Sequence, residues 1–387
     1  MKVLYVIDSL KVGGAEKLLL PLAHVAPARA FTFDVLSLAP EVATQREVLD
    51  GVRAAGLNVT VLPTRGLKDP GTLRRLVTAI RASGPHVVHA HLEYSAVLAP
   101  MAARIARRPA VCTLHHVTPP DGRREALKER MAVMTAGRSR ALIFVSSAAM
   151  EAFAERYRRN PNTWTVLRNG IDLSQFVAED ANFPPELDIP SDAPVAVLVG
   201  SMRGVKGHAE TIRAWPEVSA RVPGARLLFV GTGPEEPHLR ALVEELGLSD
   251  LVTFAGTRTD VARIMRASSL VVLPSRGEAL PTVLMEAAGC GRPVVATAVG
   301  GIPEVVRDRA TGVLVPVGDA RALASAVVDL FTDSDKRVRM GTAARLLAEE
   351  RFSVEAWCDR LRSLYERVLT GSAVVDMPAD CASRYGR

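Results

Sequence analysis

Two glutamates, Glu278 and Glu286, stand eight residues apart in PSRGEALPTVLMEAAGCGRPVVATAVGGIPE, the stretch from Pro274 to Glu304. A carboxylate accepts hydrogen bonds and donates none, so each could hold a pair of sugar hydroxyls. SLVVLPS (269–275) reads as a buried strand and residues 276–280 as a loop. TVLMEAAG reads as a helix, with Pro281 in its first turn and Gly289 at its end. Glu278 then precedes the helix, and Glu286 lies about one turn inside it. The amides around Leu280, Pro281, Thr282 and Val283 belong to a helix N-terminus, where unpaired donors and the helix dipole favour a phosphate. Phosphates flanked by two polyols describe a nucleotide sugar. Glu286 equally reads as an ordinary early-turn helix acid, and the residues alone leave both readings open.

Other candidates lie at strand ends. Arg203 and Lys206, in GSMRGVKGH, follow the strand 193–200. Two cations there suit a pyrophosphate, with Arg able to bind in a bidentate manner; they also read as solvated loop charges. Gly13-Gly14 follows the first strand and opens a helix, so its amides could face an anion. It is not G-x-G-x-x-G, which weakens a nicotinamide reading. Gly231 and Gly233 form a similar tight turn after a strand. His115 and His116 are adjacent and would face opposite sides of a strand. His89 and His91 read as structural. The four cysteines contain no CxxC pair, which points to neither a disulfide framework nor a zinc site.

These residues need elements to hold them. Apolar strands at 2–8, 32–38, 58–63, 86–91, 111–116 and 141–147 alternate with helical stretches, among them 46–56 and 72–84. Continuous apolar strands of this kind belong to a parallel sheet covered on both faces. Residues 159–192 are rich in Pro, Asn and Asp and read as a linker. The alternation then restarts with strands at 193–200, 225–231, 251–256, 269–275, 292–297 and 312–316. The fold class is therefore α/β, with two doubly wound halves. Ligands in such sheets bind at the carboxyl ends of the strands, and the cleft between two halves is the expected site.

At 387 residues the chain is longer than one typical domain, and its 48% hydrophobic and 23% charged residues suit a globular protein. No apolar run is long enough to span a membrane. MKVLYVIDSL lacks a signal-peptide cleavage pattern, so a cytoplasmic location is expected. The net charge of +6 is uneven: residues 1–180 hold 24 Lys and Arg against 16 Asp and Glu, and the remainder 24 against 26. A basic first half suits an anionic membrane or an anionic substrate. No nucleic-acid motif is present, and aromatics are only 5% of the chain.

The ordered motifs GGAE, HVVHAH, TLHH, NGID, VKGH, GTGP, FAGTR, the E-x7-E stretch and ERFSVEAW resemble those of retaining GT-B-type glycosyltransferases of family 4, also called group 1. The resemblance spans nearly the whole chain. It implies two facing Rossmann-like domains, with an acceptor-side domain at 1–170, a linker at 171–192 and a nucleotide-sugar domain at 193–350. A helix at 351–370 would cross back to the first domain, and a tail at 371–387 is expected to be disordered. By this resemblance Glu278 binds hydroxyls of the donor sugar and Glu286 the ribose. Arg203 and Lys206 hold the diphosphate, helped by the amides around Leu280, Pro281, Thr282 and Val283. Gly231, Gly233 and Arg258 border the base, Gly13 and Gly14 form the acceptor-side loop, and His115 rather than His116 reaches the transferred sugar. The family pattern has Arg five residues before the lysine, where this chain has Ser201; Arg203 is taken as its substitute.

The implied reaction transfers a hexosyl group (glucosyl, N-acetylglucosaminyl or mannosyl) from a nucleotide diphosphate sugar to an acceptor hydroxyl, with retention. The donor is expected to be UDP-linked, with GDP second. The acceptor would be a glycan, a lipid-linked saccharide or a small molecule such as an aminocyclitol. No cofactor is expected, and no metal, because no Asp-rich cluster follows a strand. Two alternatives stand beside this reading. One is a nucleotide-sugar hydrolase or epimerase of the same fold. The other is a non-catalytic protein peripheral to an anionic membrane, motivated by Arg104, Arg107 and Arg108 and by Arg123, Arg124, Lys128 and Arg130.

Overall fold

A computed structural model describes the chain apart from residues 11–17, 40–45, 63, 65–68, 118, 121, 160, 178–180 and 373–387. The chain divides into two compact units. One comprises Met1–Gly170 and the segment that starts at Val354; the other is Ile171–Ser353.

The first unit holds seven strands: β1 Lys2–Ile7, β2 Thr32–Ser37, β3 Val59–Val61, β4 Val87–His91, β5 Ala110–Leu114, β6 Ala141–Phe144 and β7 Trp164–Val166. They form one parallel sheet in the order β3-β2-β1-β4-β5-β6-β7. Alternation along β1 feeds two cores. Val3, Tyr5 and Ile7 pack on one face with Trp357, Leu361 and Tyr365 of the helix Val354–Thr370. Leu4 and Val6 pack on the other with the helices Glu93–Ile105 and Gly122–Ala136. β4 and β5 are buried throughout, as strands of a doubly covered sheet should be, although β4 carries His89 and His91.

The second unit repeats the plan with β8 Val195–Val199, β9 Arg226–Val230, β10 Val252–Phe254, β11 Leu270–Leu273, β12 Val294–Thr297 and β13 Gly312–Val315. Their order is β10-β9-β8-β11-β12-β13, again all parallel. Each sheet reverses direction once, between β1 and β4 and between β8 and β11, and such a reversal is where α/β sheets open a ligand crevice.

Three expectations need correction. The Pro- and Asn-rich stretch 159–192 contributes β7, which pairs with β6 at the sheet edge. β5 stops at Leu114, so His115 and His116 follow the strand instead of ending it. Pro281 is the N-cap of the helix Thr282–Gly289 with extended backbone, since its ring fixes φ without supplying a donor. Gly289 is the last residue of that helix, as expected, and a Cβ there would stand 2.8 Å from Phe176 Cβ. The left-handed turn that follows belongs to Gly291. Pro21 causes no break in the helix Leu19–Val25: it sits in the first turn, where its missing N–H has no intrahelical partner. The helix Pro70–Ser83 ends on Gly84 at φ 60°, as its spacing predicted.

Candidate functional site

In the second unit the switch strands β8 and β11 present two loops side by side. After β8, Gly200 leads through Arg203 and the 3-10 turn Gly204–Lys206 to Gly207, the N-cap of the helix His208–Arg221. After β11, residues 274–281 lead into the helix Thr282–Gly289. The loops are tied by backbone, with the Arg276 amide donating to the Val205 carbonyl at 2.8 Å. They approach so closely that a Cβ on Gly207 would fall 2.2 Å from the Pro274 carbonyl oxygen.

Lys206 and Glu278, 72 residues apart, meet across these loops. Lys206 Nζ donates to Glu278 Oε1 at 2.6 Å, and Ser275 Oγ donates to the same oxygen at 2.8 Å. Glu278 is 9% exposed. Its backbone is held from behind by the Gly300-Gly301 turn, with the Gly301 amide donating to the Glu278 carbonyl at 3.0 Å. Thr297 Oγ1 donates to the Ser275 carbonyl. Arg276 pairs with Glu210, which joins the second loop to the helix that follows the first. Ser275, Thr297, Glu210 and Gly300-Gly301 escaped the sequence reading. Only the glycine pair left a trace in the sequence, as a run just beyond the second glutamate.

The other predicted residues fall around this pair. Arg203 is exposed at the N-cap of the 3-10 turn. Leu280 and Pro281 are buried, Thr282 and Val283 are half-buried at the helix N-terminus, and Glu286 is half-buried one turn in. Gly231 and Gly233 press the loop after β9 onto the loop after β8: Cβ atoms there would stand 2.2 Å from the Gly200 oxygen and 2.4 Å from the Met202 oxygen. Arg258 is engaged, with two 2.8 Å bonds to Asp260 and one of 2.9 Å to Glu186. Those carboxylates, Asp260 first, raise its already high pKa further. His208 is 2% exposed, its ring against Phe229. Burial, then the charge of Lys206, lowers its pKa to about 4, so it is neutral beside the lysine.

In the first unit the carboxyl ends of β1, β4 and β5 gather Asp8, His91 and His115. Asp8 accepts the Tyr94 and Ser95 amides at 2.9 and 2.7 Å and so caps the helix Glu93–Ile105. Burial nevertheless raises its carboxyl pKa, against those two bonds. Leu92, just before that helix, has φ 76°, a conformation that side chains other than glycine's adopt at a cost. His115 and His91 lie with rings stacked 5.4 Å apart and Nε2 to Nδ1 at 3.0 Å. Burial, and then the neighbouring His116, lowers the His115 pKa to about 4. His116 faces elsewhere, 2.8 Å from Glu129, although neither histidine is on the strand. Glu129, 1% exposed, also accepts from Arg156 and Tyr157, each at 2.6 Å. Burial pushes its pKa up, but these donors outweigh it and hold the carboxyl at about 2. His89 is structural in the sense expected, bonded to the Tyr365 hydroxyl at 2.6 Å and to Thr113 Oγ1 at 2.7 Å. Gly13 and Gly14 lie outside the described residues.

Comparison with known proteins agrees with this geometry. Residues 12–175 match the family profile described as Glycosyltransferase Family 4, and residues 193–333 match that described as Glycosyl transferases group 1. The chain is 32% identical over 226 residues to N-acetyl-alpha-D-glucosaminyl L-malate synthase of Bacillus anthracis, covering 58% of this chain and 59% of that protein. It is 34% identical over 244 residues to D-inositol 3-phosphate glycosyltransferase of Segniliparus rotundus, covering 61% and 54%. It thus spans between half and three-fifths of the length of these curated relatives. Among solved structures, Anabaena HepE in complex with UDP superposes with a TM-score of 0.82 at 25% identity, over 95% of this chain and 100% of that one. The sucrose-phosphate synthase of Thermosynechococcus elongatus, at 22% identity, shares the fold with a TM-score of 0.78 over 96% of this chain and 100% of that one.

Proposed function

Because the chain belongs to the group 1, family 4 glycosyltransferases, we propose that it transfers a hexosyl group from a nucleotide diphosphate sugar to an acceptor hydroxyl, with retention of configuration. The observation that carries this is the meeting of Lys206 and Glu278 at the β8–β11 switch point, beside the N-terminus of the helix Thr282–Gly289. The pair sets a cation and a polyol-binding carboxylate within one bond of each other. In the proposed complex, Lys206 leaves Glu278 for the diphosphate and is joined there by Arg203 and the helix amides. Glu278 then takes hydroxyls of the transferred sugar. Glu286, one turn along, takes the ribose hydroxyls. Gly231 and Gly233 let the backbone approach the base, and Arg258 stiffens the neighbouring loop. Charge that builds on the leaving phosphate meets fixed donors, which need no rearrangement as it develops. We assign His115 to the transferred sugar as a neutral imidazole.

The donor we propose is UDP-linked, supported by the UDP and UDP-glucose complexes of HepE. The relatives that act on inositol phosphate and malate favour a small polyhydroxylated or hydroxy-acid acceptor and make N-acetylglucosamine a sugar to test first. The cationic role falls to Arg203 and Lys206, so no metal enters the scheme. A cytoplasmic location would give access to nucleotide sugars, and peripheral contact with an anionic membrane is compatible with the activity. No helix among the described residues is long and apolar enough to cross a membrane.

The test is turnover of UDP-N-acetylglucosamine and UDP-glucose against an acceptor panel, with UDP release and product anomers read by chromatography and NMR. Acceptor-dependent release of an α-linked product from the α-configured donors is expected, and Glu286→Gln should largely abolish it. An undiminished rate in that variant would overturn the role of Glu286. Rapid donor consumption without acceptor would replace transfer with hydrolysis or epimerisation.

A further inference from the structure

The first unit carries a concentration of charge that the transfer reaction does not use. The helices Glu93–Ile105 and Gly122–Ala136 pack side by side. A groove of about 780 Å³ opens where the first helix ends, bounded by the loops entering β5 and β6 and by the end of the helix Val354–Thr370. Five arginines border it: Arg104, Arg107, Arg108, Arg138 and Arg140. All five are exposed, and none forms an ion pair with a carboxylate among the described residues. The composition leaves little to pair them with. Residues 94–150 contain nine Lys and Arg but three acids. Of these, Glu129 is buried, Glu125 holds Lys128 at 2.8 Å, and Asp121 lies outside the described residues.

Large apolar side chains stand among these cations. Met101, Ile105 and Leu369 line the groove at 44%, 49% and 43% exposure. Leu127, Met131 and Met134 form an exposed stripe at helical spacing on the adjoining helix Gly122–Ala136. A soluble anion would engage the arginines and leave the methionines, isoleucine and leucines in water. A bilayer engages both, with phosphates against the guanidiniums and apolar side chains at the acyl boundary.

Arg107 is held in a defined turn. It occupies the left-handed position after the helix Glu93–Ile105, at φ 57°. Its amide bonds the Arg104 carbonyl at 3.1 Å, and the Arg108 amide bonds the Ala103 carbonyl at 2.8 Å, the paired bonds of a Schellman motif. Glycine is the usual residue at that position because a side chain is strained there. Arg158 and Arg309 adopt the same conformation elsewhere in the chain, so what ties Arg107 to this face is its place beside Arg104 and Arg108.

We propose that this face docks the protein onto a bilayer containing anionic phospholipid. The groove lies at the amino ends of β5 and β6, whereas His115 follows the carboxyl end of β5. Docking therefore leaves the ligand end of the sheet uncovered. The proposal does not depend on the transfer reaction.

The test is cosedimentation of the full chain with vesicles of phosphatidylcholine, with and without about one-third phosphatidylglycerol, at low and raised salt. Binding only to the anionic vesicles, weakened by salt, is expected. Neutralising two cations in Arg104→Gln/Arg108→Gln should lower partitioning about 30-fold, from roughly a fivefold share per cation near an anionic leaflet. Met101→Ser/Ile105→Ser should weaken binding at constant charge. Arg107→Gly should weaken it about fivefold while melting no lower than the parent, which separates docking from folding. Arg309→Gln/Arg321→Gln, on the second unit, should bind as the parent does. Failure of the parent to sediment with anionic vesicles at low salt overturns the proposal. So does parental partitioning by the Arg104/Arg108 variant. Insensitivity to the Met101/Ile105 change would do the same and would favour an acidic protein partner.

Discussion

Gly300→Ala is a severe test of how Glu278 is held. Gly300 has φ 50°, and a Cβ there would stand 1.9 Å from the Glu278 carbonyl oxygen. An acceptable carbon–oxygen approach is roughly 3.3 Å, so that carbonyl must retreat by about 1.4 Å. The retreat breaks the 3.0 Å bond from the Gly301 amide, at about 1 kcal/mol. Left-handed backbone adds about 1 kcal/mol for a residue with a Cβ. A total near 2 kcal/mol should lower melting of the second unit by roughly 4–8 °C, given its size. The functional effect should be larger. A displacement of about 1 Å in a positioned group can cost about 100-fold in rate, and Glu278 moves with its backbone. Gly247→Ala is the matched control: φ is also left-handed there, at 66°, but nothing lies within 4 Å of the added carbon. It should lose about 1 kcal/mol of stability and keep its turnover. Both variants would be assayed by UDP release at saturating donor and by thermal melting. If Gly300→Ala turns over like Gly247→Ala, the glycine turn does not position Glu278 and the reasoning fails.

Two further outcomes follow from the buried groups of the first unit. Burial, and then the proximity of His115, lowers the His89 pKa to about 3, while that of His115 is lowered to about 4. Both lie below the unfolded value of about 6.5, so unfolding takes up protons below that pH. Their contribution is complete above about pH 6.5 and is lost as the pH falls to about 4 for His115 and about 3 for His89. His89 alone should cost about 2 kcal/mol between pH 7 and 5, read as a fall in denaturant midpoint that His89→Gln flattens; a midpoint unchanged over that range would refute it. Glu129→Gln removes the charge that Arg156, His116 and Tyr157 share. Because Arg156 is partly exposed, the loss should sit below the usual buried-pair range, at about 2 kcal/mol. A melting temperature within a degree of the parent's would show that the cluster contributes little.

The strands were legible because doubly covered sheets demand unbroken apolar runs, and β6, β8 and β11 are such runs. β7 was not, since its three residues sit among Pro, Asn and Arg, and only pairing with β6 makes them a strand. The donor-side loop was legible as chemistry through its glutamates and the nearby cations. What the sequence hid is how the groups are held. The Lys206–Glu278 bond crosses 72 residues and the His89–Tyr365 bond 276, and no local pattern encodes such pairs. Ser275 and Thr297 were equally silent, because hydroxyls at strand ends are common and only the packed geometry gives them partners. His116 looked equivalent to its neighbour until Glu129 arrived from a helix that follows it in the chain.

The helix Val354–Thr370 completes the core of a unit whose other elements all precede Gly170. During synthesis the first sheet must therefore wait for its last helix while the intervening residues 171–353 are made. At about 5–20 residues per second that interval is roughly 10–40 s. The second unit, continuous in the chain, can close on itself in that time. Meanwhile Tyr5 and Phe31, which pack with Tyr365 once it arrives, have no cover from it. Until the helix arrives, that face of the nascent first unit is open to chaperones and proteases. A truncation before Val354 would leave that face uncovered, so a fragment cut at the junction near Gly170 is expected to be less stable than the same unit in the full chain.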